Sequence, residues 1–181
     1  NRYDSIEIVN EFMIPALDIV GEKYERQEIF LPQLIRSAET SKAVFETIKE
    51  KSAKGIEITD SKKILLATVK GDIHDIGKNI VKLILENYGY KIIDLGKDVD
   101  MEKIVETAVK EKTSLVGLSA LMTTTVKNME YTIEALKKEI PQVKIMVGGA
   151  VLTPDYASKI GADYYSKDAR GAVDIAKKEF R

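Results

Sequence analysis

His74 is the only histidine in this 181-residue chain, and the chain has no cysteine. Metal binding or proton transfer near neutral pH must therefore rely on one imidazole and the carboxylates. The residue sits in Gly71-Asp72-Ile73-His74-Asp75-Ile76-Gly77, between an apolar run and a helical pattern. A His-paired metal site is excluded; a single axial ligand or a general base remains open. Taken alone, a histidine flanked by two aspartates reads more readily as a solvated loop residue. Two further clusters carry hydroxyls and glycines: Ser119-Ala120-Leu121-Met122-Thr123-Thr124-Thr125 and Gly148-Gly149-Ala150. The threonines by themselves read as a helix N-cap with spares, and the Gly-Gly pair as a tight turn. Gly71 and Gly77 are not followed by the Lys-Ser/Thr of a phosphate-binding loop, and no G-x-G-x-x-G occurs there.

Composition narrows the classes. Lys and Arg number 28 against 29 Asp and Glu, which argues against the concentrated positive surface of a nucleic-acid binder. The lack of cysteine excludes disulfides, thiolate zinc sites, iron–sulfur clusters and Cys nucleophiles, and fits a cytoplasmic protein. No apolar stretch reaches the roughly 18 residues of a membrane span, and no membrane partner is expected. The chain opens without Met or signal peptide, inside a helical pattern, and reads as a module trimmed from a longer chain.

The elements that must position these clusters fall into two regions. Residues 1–53 read as helix only. Ile6, Val9, Met13, Leu17 and Val20 mark one helical face, with Gly21 as a break. A further helix opens at Phe30-Leu31-Pro32, with its stripe at Leu31, Leu34, Ile35, Ala38, Phe45 and Ile48. Such helices belong to a small bundle. Residues 54–61, in the polar stretch SAKGIEITDS, read as a linker. From 62 to 181, strands at 64–69, 91–95, 115–119, 143–147 and 163–165 alternate with helices at 78–88, 101–112, 126–139, 154–160 and 172–180. That alternation predicts an α/β domain, a flavodoxin- or Rossmann-like five-stranded parallel sheet flanked by helices. Its ligands bind at the carboxyl ends of the strands, where all three clusters lie; strand two ends there without chemistry, as an outer strand would.

The three clusters also share a spacing. Asp72-x-His74-x-x-Gly77 is followed after 41 residues by Ser119-x-Leu121 and after 26 more by Gly148-Gly149. In this the chain resembles the cobalamin-binding modules of methyl-transfer proteins, whose signature is D-x-H-x-x-G, S-x-L and G-G at matching intervals. The resemblance covers nearly the whole chain. Val20-Gly21-Glu22-Lys23-Tyr24 and Phe30-Leu31-Pro32-Gln33-Leu34-Ile35 look like the helical cap of such modules. The Phe-Leu-Pro-Gln wording, Gly148–Thr153 and Lys167-Asp168-Ala169 are nearest to cobalamin-dependent methionine synthase.

The resemblance implies a cofactor, cobalamin (as methylcobalamin), bound with its benzimidazole tail withdrawn from cobalt and buried in the sheet domain. His74 becomes the lower axial cobalt ligand, Asp72 the carboxylate behind it, and Thr125 the hydroxyl that continues the chain. Proton uptake by this unit would weaken the cobalt bond. Gly71, Ile73, Asp75, Gly77 and Leu121 complete the corrinoid contacts. Ser119 and Thr123 meet the tail, Gly148 and Gly149 leave room for it, and Ala169 touches it through its backbone. Tyr24, Leu31, Leu34 and Ile35 shield the methyl group, Tyr24 standing where methionine synthase has Phe. Lacking zinc ligands for homocysteine and any folate site, the chain is expected to be a carrier. It would exchange methyl groups with donor, acceptor and reactivation domains or subunits of a methionine synthase. The alternative is a freestanding corrinoid protein of a methanol, methylamine or O-demethylase system. An adenosylcobalamin mutase domain lacks this cap. A response-regulator receiver needs Asp where Ser119 stands, and a cobalamin sensor would want a DNA-binding segment.

Overall fold

The alternation of apolar runs and amphipathic stretches resolves, in a computed structural model describing residues 8–51 and 62–180, into five parallel strands with helices on both faces. The strands are β1 (Lys63–Thr68), β2 (Lys91–Asp94), β3 (Leu115–Ser119), β4 (Lys144–Gly148) and β5 (Tyr164–Tyr165). Between and after them run α3 (Ile76–Asn87), α4 (Met101–Glu111), α5 (Val126–Glu139), α6 (Pro154–Lys159) and α7 (Ala169–Glu179). Upstream, a π-helical stretch (Ile8–Met13) leads into α1 (Ile14–Glu25), and α2 spans Leu31–Lys51. Among the described residues no helix is long and apolar enough to cross a membrane.

The strand order is β2-β1-β3-β4-β5, so β1 and β3 lie side by side at the centre, with Thr68 opposite Ser119. β1 and β3 are buried on both faces, which is why they read as unbroken apolar runs. Leu65, Ala67, Val116, Leu118 and Ile145 face α4 and α5 through Ile104, Met129, Ile133 and Leu136. Ile64, Leu66, Leu115 and Met146 face α3 and α7 through Ile84, Leu85, Ala172 and Val173. Leu34 of α2 joins this second cluster, with Tyr24 and Leu31 packed against it, so the N-terminal helices are anchored on the α3/α7 face.

Two boundaries differ from the sequence reading by three residues or more. Gly21 does not end a helix. α1 runs through it to Glu25 and stops before Gln27, whose φ of 58° is left-handed. The missing Cβ serves a close approach instead, since a Cβ at Gly21 would lie 3.1 Å from the Arg170 guanidinium. α7 starts at Ala169 rather than 172, because the Asp168 side chain accepts the Gly171 N–H at 2.9 Å and caps it there. Ile6 and the linker at 54–61 lie outside the described residues, as do the side chains of Val9, Phe45 and Ile48.

One glycine fixes how β3 and β4 exit the sheet. Gly149 has φ 139°, and a Cβ on it would lie 1.8 Å from the Ala120 carbonyl oxygen. Backbone cannot swing aside as a side chain does. Gly149→Ala is therefore expected to destabilise the fold by at least about 2 kcal/mol, read as a lower urea midpoint. An unchanged midpoint would show that the two loops do not meet this closely.

Candidate functional site

β1 feeds α3 on one face of the sheet and β3 feeds α5 on the other, so the loops after these strands part at the sheet's carboxyl edge. Crevices of this kind hold the ligands of doubly wound sheets. The β1 loop enters it through Gly71, whose φ of 84° suits glycine. Asp98, on the loop after β2, pins it: its Oδ1 accepts the Gly71 N–H at 2.8 Å, and its own N–H donates to the Asp72 carbonyl at 3.0 Å.

Asp72 is the centre of the site. It is fully buried, yet its carboxylate accepts five hydrogen bonds. Oδ1 takes the His74 N–H at 3.0 Å and the His74 ring Nδ1 at 2.8 Å. Oδ2 takes the N–H groups of Leu121 at 2.7 Å and Met122 at 3.1 Å, and the Thr125 hydroxyl at 2.8 Å. One side chain thus joins the β1 loop to the β3 loop. Burial by itself raises the Asp72 pKa. The His74 and Leu121 N–H groups, the His74 ring and the Thr125 hydroxyl outweigh it and hold the carboxyl well below the usual carboxylate range.

His74 is set by that bond. With Nδ1–H committed to Asp72, the neutral ring carries its free lone pair on Nε2, the arrangement of a metal-ligating imidazole. Thr125 stands at the N-cap position of α5, but its side chain makes no capping bond. Its oxygen lies 2.8 Å from both Asp72 Oδ2 and the Met122 carbonyl. One hydroxyl proton faces two acceptors there. The threonine run is therefore more than a spare cap.

A cavity of about 900 Å³ opens beside His74 and runs between the sheet and the helices α3 and α7. Of the residues singled out from the sequence, it brings together Tyr24, Ile73, His74, Asp75, Gly77, Ser119, Leu121, Gly148, Gly149 and Ala169. Asp72 and Thr125 lie behind His74, and Gly71 underpins the loop. Thr123 is exposed and does not line the cavity. Nor do the other cap positions: Leu31 lines an adjoining cavity, Leu34 is buried against the α3/α7 layer and Ile35 is exposed. The two glycines are constrained by backbone rather than by the slot, since a Cβ at Gly148 would lie 3.1 Å from the Ser166 carbonyl oxygen and one at Gly149 against Ala120.

Two features of the wall escaped the sequence reading. Gly117 keeps the slot open: a Cβ there would lie 2.6 Å from Leu66 Cδ2 and 3.2 Å from Met146 Cε. A glycine inside an apolar strand was the available signal. The end of β2 is also not quiet. Asp94 holds the Nζ of Lys78, a cavity-lining side chain only 2% exposed, at 2.7 Å and that of Lys82 at 3.2 Å. Nothing in the local pattern marks Lys78 as buried, because its partner lies 16 residues away. The residues fit the cofactor expected from the sequence: one preset imidazole nitrogen at the mouth of a deep slot floored by a glycine.

Comparisons with known proteins agree. A family profile described as B12 binding domain matches residues 62–174, and a second of the same description matches residues 1–49. Dimethylamine corrinoid protein 1 of Methanosarcina acetivorans is 39% identical over 96% of this chain and 83% of its own length. A cobalamin-binding protein from Desulfitobacterium hafniense superposes with TM-score 0.82 at 33% identity, over 96% of this chain and 82% of that one. The methanol:cobalamin methyltransferase complex of Methanosarcina barkeri contains a chain that superposes with TM-score 0.77 at 29% identity, over 97% of this chain and 67% of that one.

The Asp72 geometry has a consequence for stability. A carboxyl held low in the folded protein contributes fully above its unfolded value, about pH 4. It loses that contribution as pH falls toward the folded value. Asp72→Asn puts an amide against five donors and is expected to cost at least about 2 kcal/mol at neutral pH. It should also flatten the acid-side decline in stability below about pH 4. Urea titrations at neutral and acid pH measure both; a variant as acid-sensitive as wild type would remove Asp72 from this role.

Proposed function

The chain belongs to the B12-binding domain family and its cofactor is cobalamin; we propose that it carries a methyl group as the corrinoid protein of a methyltransferase system acting on a methylated amine. For the cofactor, the supporting observation is His74, fixed through Nδ1 by buried Asp72 beside the slot. For the substrate class, it is the similarity, cap included, to a dimethylamine corrinoid protein. Of the two readings drawn from the sequence, this favours the freestanding corrinoid protein over a methionine synthase module.

Cobalamin supplies a cobalt centre that accepts a methyl group and releases it again. In this reading His74 Nε2 would hold the cobalt. The N–H groups of Leu121 and Met122 keep Asp72 charged and hold the ring in register with the slot. Asp72 accepts from the His74 ring, the His74 N–H and three groups of the β3 loop, which fixes Nδ1–H as the donor and leaves Nε2 facing the cavity side. Ser119, Gly117 and Met146 line the slot for the nucleotide tail, and Tyr24 reaches the cavity from the cap (residues 1–53). In this reading methyl donor and acceptor sites would belong to partner proteins; the methanol:cobalamin methyltransferase complex above contains a chain similar to this one.

Absorption spectra of protein loaded with methylcobalamin test this directly. Wild type is expected to retain it with imidazole ligation, and His74→Ala to lose the imidazole signature. Failure of the wild type to bind ends the proposal. Gly117→Val is expected to weaken cobalamin at least tenfold while leaving tail-less cobinamide unchanged, since about 1.4 kcal/mol of clash suffices. Equal loss of both would place the tail elsewhere. Methyl loading by a partner subunit fed dimethylamine, set against one fed methanol, decides the substrate class; loading from methanol alone would reverse the choice.

A further inference from the structure

The cap and the cobalamin domain meet through one carboxylate. Oδ1 of Asp18, on α1, accepts the Tyr88 hydroxyl at 2.7 Å, Lys177 Nζ at 2.8 Å and Arg170 Nη1 at 3.1 Å. Tyr88 directly follows α3, and Arg170 and Lys177 lie on one side of α7. Three donors from two helices of one domain thus converge on a single oxygen of the other. They also brace one another: Arg170 Nη1 is 3.3 Å from the Tyr88 oxygen, Lys177 Nζ sits 4.7 Å over the Tyr88 ring, and Arg170 Nε is 3.6 Å from Asp174.

Gly21, nearly one turn past Asp18, gives Arg170 its access to this cluster. Glycine inside a helix costs about 1 kcal/mol, so the position trades helix stability for the contact. The apolar part of the junction centres on Leu34, with Val20, Tyr24 and Leu31 packed against the same cluster. Asp18, Arg170 and Lys177 each keep 24–31% of their side chains exposed. A half-buried cluster of this kind holds a geometry yet breaks without stranding charges in a dry core. Tyr24, less than two turns beyond Asp18 on the same helix, lines both the His74 cavity and its neighbour.

We propose that Asp18 is a positioning residue: with Tyr88, Arg170 and Lys177 it latches α1 so that Tyr24 covers the His74 cavity, and the latch releases when a partner needs the covered side. The purpose rests on the methyl-carrier reading; the latch itself does not, and the test separates them.

The chain has no cysteine, so spin labels can be placed at Lys23→Cys on α1 and Lys110→Cys on α4, both exposed. In protein without cofactor, pulsed electron–electron distance measurement is expected to give one narrow population. Asp18→Asn should add a longer, broader one, raising the open-to-closed ratio about tenfold, the effect of losing one charge-assisted hydrogen bond. Asp18→Glu is expected to restore the narrow distribution. Tyr88→Phe and Lys177→Gln remove single donors and give smaller steps, which also covers an Asp18→Asn variant that folds poorly. Identical distributions in wild type and all three donor or acceptor variants, or no rescue by Glu, would overturn the latch. In protein loaded with methylcobalamin, Asp18→Asn should speed photolytic loss of the methyl group in air about tenfold, in step with the distance change. A shifted distance distribution with unchanged photolysis keeps the latch and rejects Tyr24 as the cover. A wild type that binds no methylcobalamin removes the carrier reading while the distance result still decides the latch.

Discussion

A single buried carboxylate organises the carboxyl edge of this sheet. Asp72 accepts from two groups of His74 and from three of the β3 loop. Asn128 of α5 also reaches the β1 loop, donating to the Lys70 carbonyl at 2.8 Å, but only Asp72 ties the β3 loop to His74. Buried charge is tolerable only when every lone pair is met, and here the saturation is complete. The same saturation fixes the imidazole tautomer. Structural need and chemical need are therefore met by one side chain, and neither can be altered alone.

Much of this was legible in the sequence because the decisive residues are close in the chain or recur at fixed intervals. The alternation of apolar runs and amphipathic stretches led to the five-stranded parallel sheet and to its carboxyl edge as the ligand side. The Asp72-x-His74 pair carries its own geometry, since two residues of loop suffice to bring ring and carboxylate together. What stayed hidden depends on partners far apart in sequence. Lys78 is an ordinary helix lysine until Asp94 is placed beside it. Gly21 reads as a helix end until Arg170 is seen to approach from α7. Leu31, Leu34 and Ile35 follow one apolar stripe, yet each meets a different environment, because the direction in which a helix docks is not written in its period. Gly148 and Gly149 were marked for the room they leave; the structure adds close carbonyl neighbours, at Ser166 and Ala120.

The relation between cap and sheet domain follows from a division of labour at their junction. Leu34 supplies apolar contact and Asp18 supplies direction. Apolar contact is non-directional, whereas three converging donors define a point. The charged cluster reaches from the first turn of α7 (Arg170) to Lys177 and to Tyr88 after α3, and shares no residue with the Asp72 network. Strain at one need not disturb the hydrogen-bonded ring of the other.

The slot floored by Gly117 lies within the α3/α7 layer of the core, not on its surface: Leu66 and Met146, which would meet any Cβ at that glycine, belong to the cluster that holds both helices to the sheet. Whatever occupies it contributes dispersion contacts to the packing of the domain and shifts the folding equilibrium by mass action. Molecules that hold the cofactor are therefore expected to open, and to be cut by protease, more slowly than empty ones, so that loading and durability become one property of the fold.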